Sequence, residues 1–135
     1  MLDGKRIFVL EDDANNLAII MSILKRHRGV VFFDAWGTAT VKKIKRFLPI
    51  DLILLDLMLP GDVSGYDVFK QIRLEAELNN IPIVAVTAAD PGVEMPIARD
   101  LGFAGYISKP LRNRTFPGAL LQIMDGQPVW GEIDL

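Results

Sequence analysis

The chain has 135 residues, half of them hydrophobic, which suits a single domain with one continuous core. Its formal charge of −2 gives no electrostatic case for binding nucleic acid or an anionic membrane, and the absence of cysteine excludes disulfides, thiolate catalysis and cysteine-ligated zinc. The N-terminus lacks the long apolar segment of a signal peptide, and no stretch approaches the ~20 apolar residues of a membrane span, so a soluble cytoplasmic protein is expected.

Short apolar runs alternate with helical patterns from end to end. The first run, Arg6 to Leu10, stops at Glu11-Asp12-Asp13. Leu17, Ile20, Met21 and Leu24 then follow the i, i+3, i+4, i+7 spacing of one helix face. Lys25-Arg26-His27-Arg28 closes that helix and reads as a solvated cationic end. A second run, Val30 to Asp34, precedes a helix carrying Val41, Ile44 and Leu48. The third, Leu52 to Asp56, ends on a carboxylate just before Pro60-Gly61. Val68, Phe69 and Ile72 mark the next helix. A fourth run, Ile81 to Thr87, leads to a weaker helix over Val93 to Leu101 with Pro96 inside it. Gly105 to Ser108 is the fifth, and a last helix covers about Phe116 to Met124. Trp36 and Trp130 are expected to be packing residues.

This alternation implies an α/β, doubly wound (βα)5 fold with a five-stranded parallel sheet and helices on both faces. One domain is expected over residues 1–125. Residues 126–135 read as a short C-terminal tail whose Val129-Trp130 pair is apolar enough to dock.

Ligands of such sheets bind at the carboxyl ends of the strands. Here those ends carry Glu11-Asp12-Asp13, Asp56, Thr87-Ala88-Ala89 and Ser108-Lys109-Pro110. Like charges that close together need a cation or a proton, so the acids form a candidate metal site. Carboxylates and carbonyls are hard oxygen ligands suited to Mg2+. Lys109 and Thr87 can bind phosphoryl oxygens, and Asp56 can attack phosphorus.

Phe8 to Asp13, Leu54 to Gly61, Val86-Thr87-Ala88 and Gly105 to Pro110 together resemble the receiver domain of two-component response regulators, the CheY-like form of the flavodoxin-like fold. The resemblance covers about Lys5 to Met124. It implies Asp56 as phospho-acceptor from a sensor histidine kinase or a histidine phosphotransfer protein. It implies Mg2+, with Mn2+ as a substitute, held by Asp12, by Asp56, by the backbone carbonyl of Met58 and by Glu11 through water. It also implies Lys109 as the phosphate-binding cation, Thr87 as the switch hydroxyl, Tyr106 as an aromatic rotamer switch that turns inward, and a cis Lys109-Pro110 peptide. The expected protein is a stand-alone, single-domain response regulator with weak autophosphatase activity. It signals to a downstream protein and is able to dimerise through its fourth and fifth helices. Two features depart from the family pattern: Gly65 stands one residue further from Asp56, and Pro96 interrupts the fourth helix. Two rivals remain. An aspartyl-nucleophile phosphohydrolase of the haloacid-dehalogenase type would place a second Asp where Met58 stands. A phosphorylation-independent pseudo-receiver would not need the acid, Thr and Lys set.

Overall fold

A computed structural model describes residues 1–131. Strands β1 (Arg6–Leu10), β2 (Val30–Asp34), β3 (Leu52–Leu55), β4 (Ile83–Thr87), β5 (Gly105–Ser108) and β6 (Val129–Trp130) form one sheet in the order β2-β1-β3-β4-β5-β6. Every pairing is parallel. Between the strands run α1 (Ala14–Arg26), α2 (Thr40–Arg46), α3 (Gly65–Arg73), α4 (Pro91–Leu101) and α5 (Phe116–Met124). A short 3-10 turn, Ala76–Leu78, precedes β4.

The central strands are buried along their whole length because helices cover both faces of the sheet. Alternation along β3 divides the core. Ile53 and Leu55 point to one face, where Ile44 of α2, Val68 and Ile72 of α3 and Ala98 of α4 pack. Leu52 and Leu54 point to the other, against Ile20 and Leu24 of α1 and Leu120 of α5. Each of the Val, Leu and Ile side chains among them contributes about 1.5–3 kcal/mol when fully buried.

Local chemistry sets the helix ends. Asp13 caps α1 by accepting from the Asn16 N–H at 2.9 Å. Ser64 and Asp67 form a reciprocal capping box on α3. Asp90 caps α4, Pro91 opens it, and Gly102 closes it at a positive φ of 105°. Pro96 removes one backbone donor, yet α4 continues through it to Leu101. Lys25 and Arg26 lie in the last turn of α1, as expected, while Arg28 leaves the helix with a φ of 67° and pairs with Asp3.

Two expectations need correction. The sheet has six strands, because part of the expected tail is structured. Val129 and Trp130 lie beside Gly105 and Tyr106, and the Gly131 N–H donates to the Tyr106 carbonyl at 2.9 Å. The bare edge of β5 would otherwise leave backbone groups unpaired, and β6 satisfies them. Residues 132–135 of that tail lie outside the described residues. Trp36 is not a packing residue: it is 64% exposed in the loop after β2. That loop docks instead through Gly37, whose Cα faces Val68 and Leu59. Trp130 does pack, under the guanidinium of Arg99 on α4, 4.7 Å from its ring centre.

Candidate functional site

The sheet order places β1 between β2 and β3, so the chain reverses direction of winding there. Leu10 pairs with Leu55, which sets the residues after both strands side by side. Glu11 and Asp56 therefore meet at the carboxyl edge of the sheet, where a doubly wound fold opens its crevice. The Asp56 N–H donates to the Leu10 carbonyl at 3.1 Å and ties the two strand ends together.

Both acids are buried, whereas Asp12 is exposed. Carboxylate oxygens of Glu11, Asp12 and Asp56 all lie within 4.8 Å of one another. Lys109 enters from the end of β5, its N–H held by the Thr87 carbonyl at 2.9 Å. The Lys109 ammonium donates to Asp56 Oδ2 at 3.0 Å and also to Glu11 Oε1. Burial pushes the Glu11 carboxyl above its usual range despite the ammonium beside it. Burial would lower the pKa of Lys109, but its two carboxylate partners outweigh that and raise it. Lys109 is thus an ammonium, and one cation serves a cluster of three acids. The remaining negative charge, the hard oxygen donors and the exposed position of Asp12 fit a divalent cation that keeps some of its water.

The Asp56 carboxylate is oriented by its own turn, with Oδ1 accepting from the Met58 N–H at 3.0 Å. The longer loop after Asp56 does not pull Gly65 away. A Cβ on Gly65 would lie 2.3 Å from the Asp56 carbonyl oxygen and 2.6 Å from the Leu57 Cα, so the first turn of α3 presses directly on the Asp56 peptide. Gly61 and Asp62 form an exposed turn between Asp56 and α3.

Thr87 is fully buried at the end of β4, and its hydroxyl oxygen accepts from the Ala89 N–H at 3.2 Å. Tyr106 is also fully buried, with its hydroxyl donating to the Ala89 carbonyl at 3.0 Å. Its ring already points inward, and burial together with the charges of Glu94, Asp90 and Asp56 pushes its pKa up to about 12. The Lys109-Pro110 peptide is cis, as the resemblance implies, and Leu48-Pro49 is cis as well.

The structure thus gathers Glu11, Asp12, Asp56, Thr87 and Lys109 at one edge and sets Tyr106 one strand further out. The sequence reading missed the backbone of Ala89, which links Thr87 to Tyr106. A backbone role leaves no side-chain signal. Spacing alone shows the Gly65 approach only as an offset, although a glycine opening a helix beside a strand-end carboxylate is itself a signal.

The Response regulator receiver domain family matches residues 7–120. The DNA-binding response regulator MtrA of Mycolicibacterium paratuberculosis is 37% identical over 113 residues, covering 82% of this chain and 47% of that protein. The sensory transduction protein RegX3 of Mycobacterium bovis is 35% identical over 112 residues, covering 80% and 45%. The chain therefore spans about half the length of these curated relatives. Among solved structures, the receiver domain of a sensor histidine kinase from Pseudomonas aeruginosa, with magnesium coordinated in its active-site cleft, is 26% identical with a TM-score of 0.80, over 90% of this chain and 98% of that one. The non-phosphorylated HemR receiver domain from Leptospira biflexa is 26% identical with a TM-score of 0.76, over 90% and 94%. Strand order, site chemistry and these matches agree: the chain belongs to the response regulator receiver domain family of two-component systems.

Proposed function

We propose that Asp56 accepts a phosphoryl group from a phosphohistidine on a sensor kinase or a histidine phosphotransfer protein, and that the acylphosphate switches the domain. One observation carries the reading: a buried carboxylate, aimed by the Met58 N–H, with its other oxygen 3.0 Å from an ammonium that it shares with Glu11 of the same edge. Asp56 Oδ attacks phosphorus, a P–O bond forms, the P–N bond to the donor imidazole breaks, and the imidazole keeps the electron pair. Lys109 neutralises charge that develops on the phosphoryl oxygens. Asp12 and Asp56, with the Met58 carbonyl and with Glu11 through water, would hold Mg2+ or Mn2+, which supplies further positive charge to the transferring group. The Thr87 hydroxyl turns toward the new phosphoryl oxygens and gives up the Ala89 N–H. The same edge supports slow hydrolysis of the acylphosphate, so the domain is a timed switch and not a metabolic enzyme. Its action as a single-domain regulator in the cytoplasm, docking to a downstream protein, belongs to the same proposal. Among the described residues no helix is long and apolar enough to cross a membrane.

The test is incubation with Mg2+ and acetyl phosphate followed by intact mass. The wild-type chain gains one phosphoryl group and Asp56→Asn gains none. An unmodified wild type, or equal modification of the variant, refutes the assignment.

A further inference from the structure

The two edges of the sheet offer a neighbour very different amounts of strand. β6 ends one edge with 2 residues, Val129 and Trp130. β2 ends the other with 5, in unbroken register with β1 from Val30 beside Arg6 to Asp34 beside Leu10. The Val30 N–H donates to the Lys5 carbonyl at 2.8 Å, and the Asp34 carbonyl accepts from the Glu11 N–H at 3.1 Å. Successive residues of a strand turn their backbone groups to alternate sides, so Val30, Phe32 and Asp34 bond to β1 while the N–H and C=O of Val31 and Phe33 point out of the sheet. Among the described residues these outward groups have no strand beside them. Natural edge strands carry lysine, proline or a bulge against pairing with another chain. Val30-Val31-Phe32-Phe33 carries none of these and consists wholly of strand-favouring residues. Asp34 gives no protection, because its buried carboxylate is turned back to accept from the Ala35 N–H at 2.8 Å, the Thr40 hydroxyl at 2.9 Å and the Lys43 ammonium at 3.1 Å. Val30 and Phe33 on the strand and Trp36 just beyond it are exposed, so the edge is open to a partner.

We infer that the β2 edge is a docking surface for a second copy of this chain, with the two β2 strands antiparallel about a two-fold axis through Phe32. The edge is complementary to itself in that arrangement. Val31 of each copy stands opposite Phe33 of the other, and the outward N–H of each meets the outward carbonyl of its opposite. Val31 and Phe33 share one face of the strand, so each pairing also brings an aromatic ring against a β-branched side chain. Charge selects the orientation. α1 begins behind the exposed acids Asp12 and Asp13 and ends in the exposed cations Lys25 and Arg26. Antiparallel pairing sets both copies of α1 on the same face of the joined sheet and running in opposite directions, so the acidic start of each lies toward the cationic end of the other. Parallel pairing would gather both cationic ends at one end of the seam. The interface is isologous and closes at two copies, since the short β6 leaves little strand for a second seam. It lies at the far edge of the sheet from β5 and β6 and leaves α4 uncovered.

Sedimentation equilibrium of the full chain over a range of concentrations tests this, together with hydrogen exchange followed by NMR on the same samples. The mass rises with concentration from 15.0 kDa toward twice that value and goes no higher. The Val31 and Phe33 amides exchange freely in dilute samples and become protected as the dimer forms, while the Leu54 amide in the centre of the sheet is protected throughout. Phe33→Lys places a charge on the seam of each copy and raises the concentration of half-association about tenfold or more, with Leu54 protection retained as the sign of an intact fold. Ile97→Lys, on the exposed face of α4, leaves the association unchanged. A chain that stays at 15.0 kDa at every concentration overturns the inference. So does a dimer whose Val31 and Phe33 amides stay unprotected, a reading that needs no variant. A dimer that survives in Phe33→Lys, or that is lost in Ile97→Lys, overturns the placement on β2.

Discussion

Replacing Gly65 with alanine tests whether the carboxylate edge is held by a backbone contact. Helix propensity alone predicts a gain, since alanine is favoured over glycine within a helix by up to about 1 kcal/mol. Gly65 opens α3 with no positive φ, so nothing in its own conformation opposes the change. The opposition comes from across the turn. The new methyl would lie 2.3 Å from the Asp56 carbonyl oxygen, 2.6 Å from the Leu57 Cα and 3.0 Å from the Asp56 carbonyl carbon. All three are backbone atoms and have no rotamer to yield. Restoring ordinary contact moves the Asp56 peptide or the start of α3 by about 1 Å, in an interior packed as densely as a crystal. Overpacking of this kind costs about 1–3 kcal/mol and at times more. A contact this short belongs at the upper end, so the net loss is about 2 kcal/mol after the helical gain. Urea unfolding reads it directly: with a slope of about 2 kcal/mol per molar, the midpoint falls by about 1 M. The acceptor is displaced too, and a shift of about 1 Å in a reacting group can cost on the order of a hundredfold in rate. Phosphorylation by acetyl phosphate therefore slows far more than the stability loss accounts for. A midpoint equal to or above wild type would refute the steric reasoning.

Lys109→Met removes the single ammonium from three clustered carboxylates. Leaving buried charge unpaired costs about 3–5 kcal/mol, so the urea midpoint in the absence of divalent cations falls clearly, and Mg2+ recovers part of the loss; an unchanged midpoint would show that the acids do not need the lysine. The tyrosines give a pH prediction. The chain has two, Tyr66 and Tyr106, and both are raised above the ordinary value of 10.0, by burial first and then by nearby acids, among them Glu94 beside the Tyr66 hydroxyl. A folded pKa above the unfolded one means stability that is fully present below pH 10 and lost as pH rises through about 12 for Tyr106. Ultraviolet absorbance should show almost no phenolate in the native chain at pH 10 and about half ionisation in urea, and a native midpoint near 10 would contradict the shielding of buried Tyr106 and half-buried Tyr66.

Most of the fold was legible because the strands are continuous apolar runs and the helices carry a clear period. Leu52 to Leu55 and Ile83 to Thr87 admit hardly any other reading. The acids, Thr87 and Lys109 were legible as a site because a parallel sheet sends every strand end to one edge. Three things were not legible, each for a physical reason. Val129-Trp130 is too short to show any period, and only the open edge of β5 makes it a strand. Trp36 looked like core material by composition, but the loop anchors itself through Gly37 and leaves the indole outside. Tyr106 was expected to swing inward on phosphorylation, yet its burial in the unphosphorylated chain depends on Trp130 and α4, which are remote in sequence.

The family's matched span stops at residue 120, while the sheet does not end until Trp130. A fragment cut at that point loses the end of α5 and all of β6. It bares the Tyr106 carbonyl and the side of β5 that Val129 and Trp130 cover. Such an open flank is a template for pairing with another chain. Fragments ending at residue 120 are therefore expected to self-associate on concentration. Those that continue through Gly131 keep their own edge guard and are expected to stay in solution.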